Sequence, residues 1–111
     1  MQVSPHLRKS SNGYIFYCPG CKEAHAYVTD GSRGWTFNGD LAAPSFTPSL
    51  RLFEVVSESP RVEHTFCHLF VTDGKINFCN DCDHELNGKQ GVPLPELPDF
   101  MQGDKYGDCN P

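Results

Sequence analysis

At 111 residues and 38% hydrophobic content, the chain has material for one small core and not for a second. The formal net charge of −5 argues against a duplex nucleic-acid partner, which meets a basic patch. No run approaches the roughly 18 apolar residues of a membrane span, and the basic N-terminus lacks the apolar stretch of a secretory signal, so a cytoplasmic protein is expected.

Residues 1–12 are polar and end in a Ser-Ser-Asn run, which suits a flexible lead. Gly13 to Tyr17 is aromatic and β-branched, as strands are, and Ala24 to Val28 is a return strand. Between them, Cys18-Pro19-Gly20-Cys21 forms the turn, giving the knuckle hairpin of a zinc ribbon. Asp30-Gly31 and Arg33-Gly34 mark turns, and Trp35 to Gly39 is a short strand with Trp35 and Phe37 on one face. Residues 40–48 contain Pro44 and Pro48, which lack the amide donor of a helix or central strand. Ser49 to Val56 is the best central strand, followed by a charged turn around Pro60.

His64 to Val71 and Ile76 to Cys79 make the clearest hairpin, turning at Asp73-Gly74, the dipeptide that accepts the positive φ of a type I′ turn. That turn sets residue 72 opposite 75, 70 opposite 77 and 68 opposite 79. Asp81 to Leu86 suits one helical turn stopped at Asn87-Gly88, and Val92 to Pro98 is extended. The expectation is a mostly β, compact, zinc-ribbon-like single domain over residues 13–98, with at most a small helical part. A tail over 99–111 carries Cys109, a spare thiol of no assigned role.

Six cysteines permit three disulfides, but two CxxC pairs and no secretory signal favour metal in a reducing compartment. Four tetrahedral ligands suit Zn²⁺ as a structural staple. Cys18 and Cys21 are the first two candidates and Cys82 the third. For the fourth, Cys79 completes CxxC…CxxC, whereas the hairpin register brings Cys67 to the same end of the sheet. Neighbours on a strand face opposite ways, so Cys67 and His68 do not both reach one metal without a bulge. His68 and His84 also lie near the site, as alternate ligands, as groups supporting a ligand, or as a catalytic histidine beside Asp81 or Asp83 serving a Cys nucleophile or metal-bound water. His25, four residues past Cys21, is a further donor. Trp35, Phe37 and Phe46 are expected in the core.

In order along the chain stand Cys18-Pro-Gly-Cys21, Gly34-Trp-Thr-Phe-Asn-Gly-Asp40, Pro44-Ser-Phe-Thr-Pro-Ser-Leu50, Cys67-His68-x-Phe70, Asp73-Gly74-x-Ile76 and Asp81-Cys82-x-His84-x-Leu86-x-Gly88. This ordered set, over roughly residues 13 to 98, resembles a family of short proteins frequent in tailed bacteriophages and prophages. The resemblance implies functional positions at Cys18, Cys21, Cys67, His68, Cys82 and His84, with Cys79 and Cys109 outside the pattern, and it favours Cys67 over Cys79 as fourth ligand. The label of ammonia monooxygenase carried by many such proteins does not suit this chain, since that activity belongs to membrane-bound copper complexes. Similarity of some relatives to proteins encoded near ubiquitin-like conjugation genes implies a role in phage–host conflict.

The leading reading is a phage-type zinc protein, its metal on Cys18, Cys21, Cys67 and Cys82, that binds a host or viral protein in the host cytoplasm, with no nucleic acid and no membrane. No catalytic residue is assigned, because a closed four-sulfur site leaves no position for chemistry. The alternative, from another class, is a zinc- or cysteine-dependent hydrolase using His68 or His84.

Overall fold

The computed structural model describes residues 1–103; residues 104–111, with Cys109, lie outside the described part. β1 (Arg8–Lys9), β2 (Gly13–Cys18) and β3 (Glu23–Val28) form an antiparallel sheet. β4 (Thr36–Phe37), β5 (Phe46–Glu58), β6 (Arg61–Thr72), β7 (Lys75–Phe78) and β8 (Val92–Pro93) form a second, in that spatial order. A single 3₁₀ turn at Asp99–Met101 is the only helical element among the described residues. The mostly β single domain expected from the sequence is the one observed.

The Asp73-Gly74 turn has φ of 51° and 77°, the left-handed pair of a type I′ turn. It pairs Thr72 with Lys75 and Phe70 with Asn77, the expected register. Three stretches differ from expectation. β5 begins at Phe46 and runs through Pro48, because the β5–β6 register shifts between Phe46 and Leu50 and a proline without an amide sits inside that irregularity. Residues 81–86 form turns rather than a helix; the Cys82 amide donates to Asn87 Oδ1 (2.8 Å), diverting the backbone from a helical ladder. The N-terminal stretch expected as a loose lead carries β1, with Leu7 and Arg8 fully buried. Arg8 reaches the opposite end of the described chain, donating to the carbonyls of Met101 (2.8 Å) and Gly103.

The two sheets meet through aromatic rings. Tyr27 of β3 stacks on Phe46 of β5 with centroids 4.3 Å apart and planes 3° from parallel. Phe16 extends the stack on one side and Phe37 on the other, and Trp35 meets Tyr27 edge-on. Leu50, Leu69, Val71, Ile76 and Phe78 fill the rest. Phe46 contacts Tyr14, Tyr27 and Phe37 at once, so Phe46→Ala should destabilise the fold by about 3–5 kcal/mol, measured by chemical denaturation.

Candidate functional site

β2 ends at Cys18, and the chain turns through Pro19 and Gly20 to Cys21. Lys22 donates its amide to Cys18 O (2.7 Å) with φ of 59°, and the Cys21 amide points at Cys18 Sγ (3.4 Å). This backbone aims both sulfurs inward. Cys67, on the buried face of β6, brings its Sγ to 4.0 Å from that of Cys18. His84, from the loop after β7, places Nε2 at 3.5 Å from Cys67 Sγ. The donor atoms of Cys18, Cys21, Cys67 and His84 all lie within 4.8 Å of one another.

Three thiolates and an imidazole are a zinc-type donor set, and tetrahedral zinc holds its donors roughly 3.3–3.8 Å apart, so a small contraction closes the cluster on an ion. Gly20 is part of the fit, since a Cβ there would collide with the His84 ring. The Leu86 amide points at His84 Nδ1 (3.2 Å); ligation through Nε2 leaves the ring proton on Nδ1, so that contact opens when a metal binds. Without metal, the hydrogen bond from Cys67 brings the Cys18 thiol down to about 4, with His25 contributing, and the same contact pushes Cys67 up. Burial, then the neighbouring Cys18 thiolate, pushes Cys21 up to about 12. Cys18 is thus the thiol held toward the thiolate, and Cys21 and Cys67, both pushed up, would have to lose their protons to hold a cation.

Cys82, expected as a ligand, falls outside this group. Its thiol donates to His68 O (3.2 Å) and receives the His68 amide (3.3 Å), and it also approaches the Cys67 thiol. His84, two residues on, occupies the fourth corner.

The opposite face of β6 carries a second constellation. His68 pairs with Arg51 of β5, so its ring shares a face with Ser49, two residues before Arg51. His68 Nε2 lies 3.0 Å from Ser49 Oγ, and His68 Nδ1 lies 3.1 Å from both carboxylate oxygens of Asp81. The carboxylate holds the ring proton on Nδ1, leaving Nε2 to accept the Ser49 hydroxyl proton. Trp35 steadies the serine by donating its indole N–H to Ser49 O (3.2 Å). A serine, a histidine and an aspartate joined in this sequence of contacts form the constellation that activates a serine nucleophile.

The sequence offered His68 or His84 beside Asp81 or Asp83, of which the structure joins His68 to Asp81, and it did not single out Ser49. The only signal at Ser49 was its place in the Pro44 to Leu50 motif, which lacks the turn pattern of a nucleophile elbow. Of the other histidines, His25 is buried beside Cys18, and His64 Nε2 pairs with Asp83 (2.9 Å).

Two outcomes test the cluster. Cys67→Ser should cost the protein one equivalent of bound metal, measured by native mass spectrometry. Because Cys21 and Cys67 are pushed up and must ionise to hold a cation, affinity should fall on acidification, checked by chelator competition across pH.

Comparison with curated proteins and with solved structures found no match to either. A family model described as "Bacterial ubiquitination-like system serine protease (BubE)" matches residues 2–79, which include Ser49, His68 and three of the four clustered metal donors. The chain belongs to this family of bacterial ubiquitination-like system serine proteases.

Proposed function

We propose that the protein is a serine protease acting on a protein substrate of a ubiquitination-like system, with Ser49 as nucleophile, His68 as general base and Asp81 as the group orienting His68. The observation that carries this reading is the unbroken line of contacts from Ser49 Oγ through His68 to Asp81, in a chain whose family is described as serine proteases. Ser49 Oγ attacks the substrate carbonyl carbon while its proton passes to His68 Nε2. The tetrahedral species collapses as His68 returns that proton to the leaving amine, giving an acyl-Ser49 ester. Water attacks the ester, His68 takes its proton, and the acid product leaves with Ser49 reprotonated. Asp81 stays ionised throughout and stabilises the transient imidazolium. The His68 side chain is 25% exposed and that of Asp81 49%, so the site lies open on the sheet and fits a segment of protein laid across it.

The metal we assign is Zn²⁺, held by Cys18, Cys21, Cys67 and His84. Four protein donors leave no position for a water, which makes its role structural. Unpaired cysteines throughout the described residues are in keeping with the host cytoplasm. Among the described residues no helix is long and apolar enough to cross a membrane.

A second reading, a phage-type module that binds a host or viral protein, is favoured by the far end of the β5–β6 hairpin, where Phe53, Val55, Val56 and Val62 are exposed. The two readings part at Ser49. Under the protease reading, Ser49→Ala abolishes both covalent labelling by a fluorophosphonate and hydrolysis of an activated ester, while circular dichroism is unchanged. Asp81→Asn should lower turnover by about 10²–10⁴-fold. Labelling and turnover that persist in Ser49→Ala would sink it.

A further inference from the structure

Cys79 takes no part in the four-donor cluster. Its amide donates to His68 O (2.9 Å), continuing the β6–β7 ladder one step past Phe78 and setting Cys79 directly across from His68. Directly paired residues present their side chains on the same face of a sheet. Asp81, two residues on, returns to that face. A ring nitrogen of His68, the Cys79 sulfur and an Asp81 carboxylate oxygen all lie within 4.8 Å of one another.

We propose that His68, Cys79 and Asp81 form a second, inhibitory metal site that takes a thiophilic divalent cation such as Zn²⁺ on the catalytic pair itself. Imidazole, thiolate and carboxylate are all zinc donors, and three protein ligands with one open position is the arrangement of an exchangeable rather than a closed site. The location, half open to solvent at Asp81, gives the ion a way in and out. Binding displaces the thiol proton of Cys79 and draws the Asp81 carboxylate onto the ion. An ion on His68 Nδ1 moves the ring proton from there to Nε2, which then donates to Ser49 Oγ and has no lone pair left to take the serine proton. An ion on Nε2 would block the contact with Ser49. In both cases His68 no longer serves as base. The inhibitory role rests on the Ser49 reading; the binding site does not.

The test uses the full chain as purified, with the four-donor cluster loaded, and added Co²⁺ or Zn²⁺ as probe. One further equivalent of Co²⁺ should bind with a thiolate-to-cobalt absorption band. That band should persist in Ser49→Ala and vanish in Cys79→Ser. In the ester assay, Zn²⁺ should suppress turnover reversibly on chelation, and Cys79→Ser should raise the inhibitory concentration by about 10–100-fold with basal turnover unchanged. No second equivalent, or a band unaltered in Cys79→Ser, overturns the site. Zn²⁺ that activates, or that inhibits Cys79→Ser equally well, overturns the inhibitory role. A Cys79-dependent band in a protein with no Ser49-dependent turnover would uphold the metal site while removing the protease reading and the inhibition with it.

Discussion

Cys18 and Cys67 lie 49 residues apart in the chain and 4.0 Å apart at sulfur, and the approach joins the two sheets. Cys18 closes β2 in the three-stranded sheet, while Cys67 sits in the middle of the five-stranded one. Bringing them together sets the distance and angle at which the aromatic stack of Phe16, Tyr27 and Phe46 must fill the gap. Cys21 and His84 then complete the corner, the knuckle turn supplying the first and the loop after β7 the second. A core of this size gains from such a junction because the ordering of distant segments is otherwise opposed by chain entropy.

The same junction orients the chemistry, through the period of a single strand. Successive residues of β6 face opposite ways, so a buried Cys67 obliges His68 to face outward, toward Ser49 and Asp81. The register shift between Leu52 and Phe53 absorbs Phe66 without pairing it and so adjusts the strand immediately before Cys67. Cys82 ties the arrangement from outside, its thiol bonded to the His68 backbone. Adjacent residues thus join the four-donor cluster on one side of the sheet and the Ser49–His68–Asp81 contacts on the other.

What the sequence discloses follows from how local each signal is. The Cys18 to Cys21 knuckle and the Asp73-Gly74 turn are decided by four or so consecutive residues, and both were legible. The pairing of Phe70 with Asn77 follows from that turn by counting. Ser49 was not legible, because its meaning depends on β5 running through Pro48 with a register shift that alternation alone does not reveal. His84 and Cys82 are two residues apart in a loop and both approach Cys67, so the sequence alone does not distinguish them; the space that Gly20 leaves for a ring admits His84 to the four-donor group.

The proposed triad of Ser49, His68 and Asp81 lies open on the sheet, where water competes for every contact as it does not in a cleft. Here the scaffold limits that competition by fixing Ser49 and His68 through their backbones. Ser49 has its carbonyl bonded by the Trp35 indole, His68 has its amide and carbonyl on Cys82 and its carbonyl also bonded by the Cys79 amide, and Asp81 follows within two residues of that last ladder bond. The side chains therefore have little to gain by separating, because each is already aimed by groups that are not themselves reacting. The same economy of position explains why Cys79 stands so close to His68: any residue directly across from it on β7's continuation must share its face. A thiol at that position gives the proposed base and its carboxylate the donors of a metal site as well as the contacts of a proton relay.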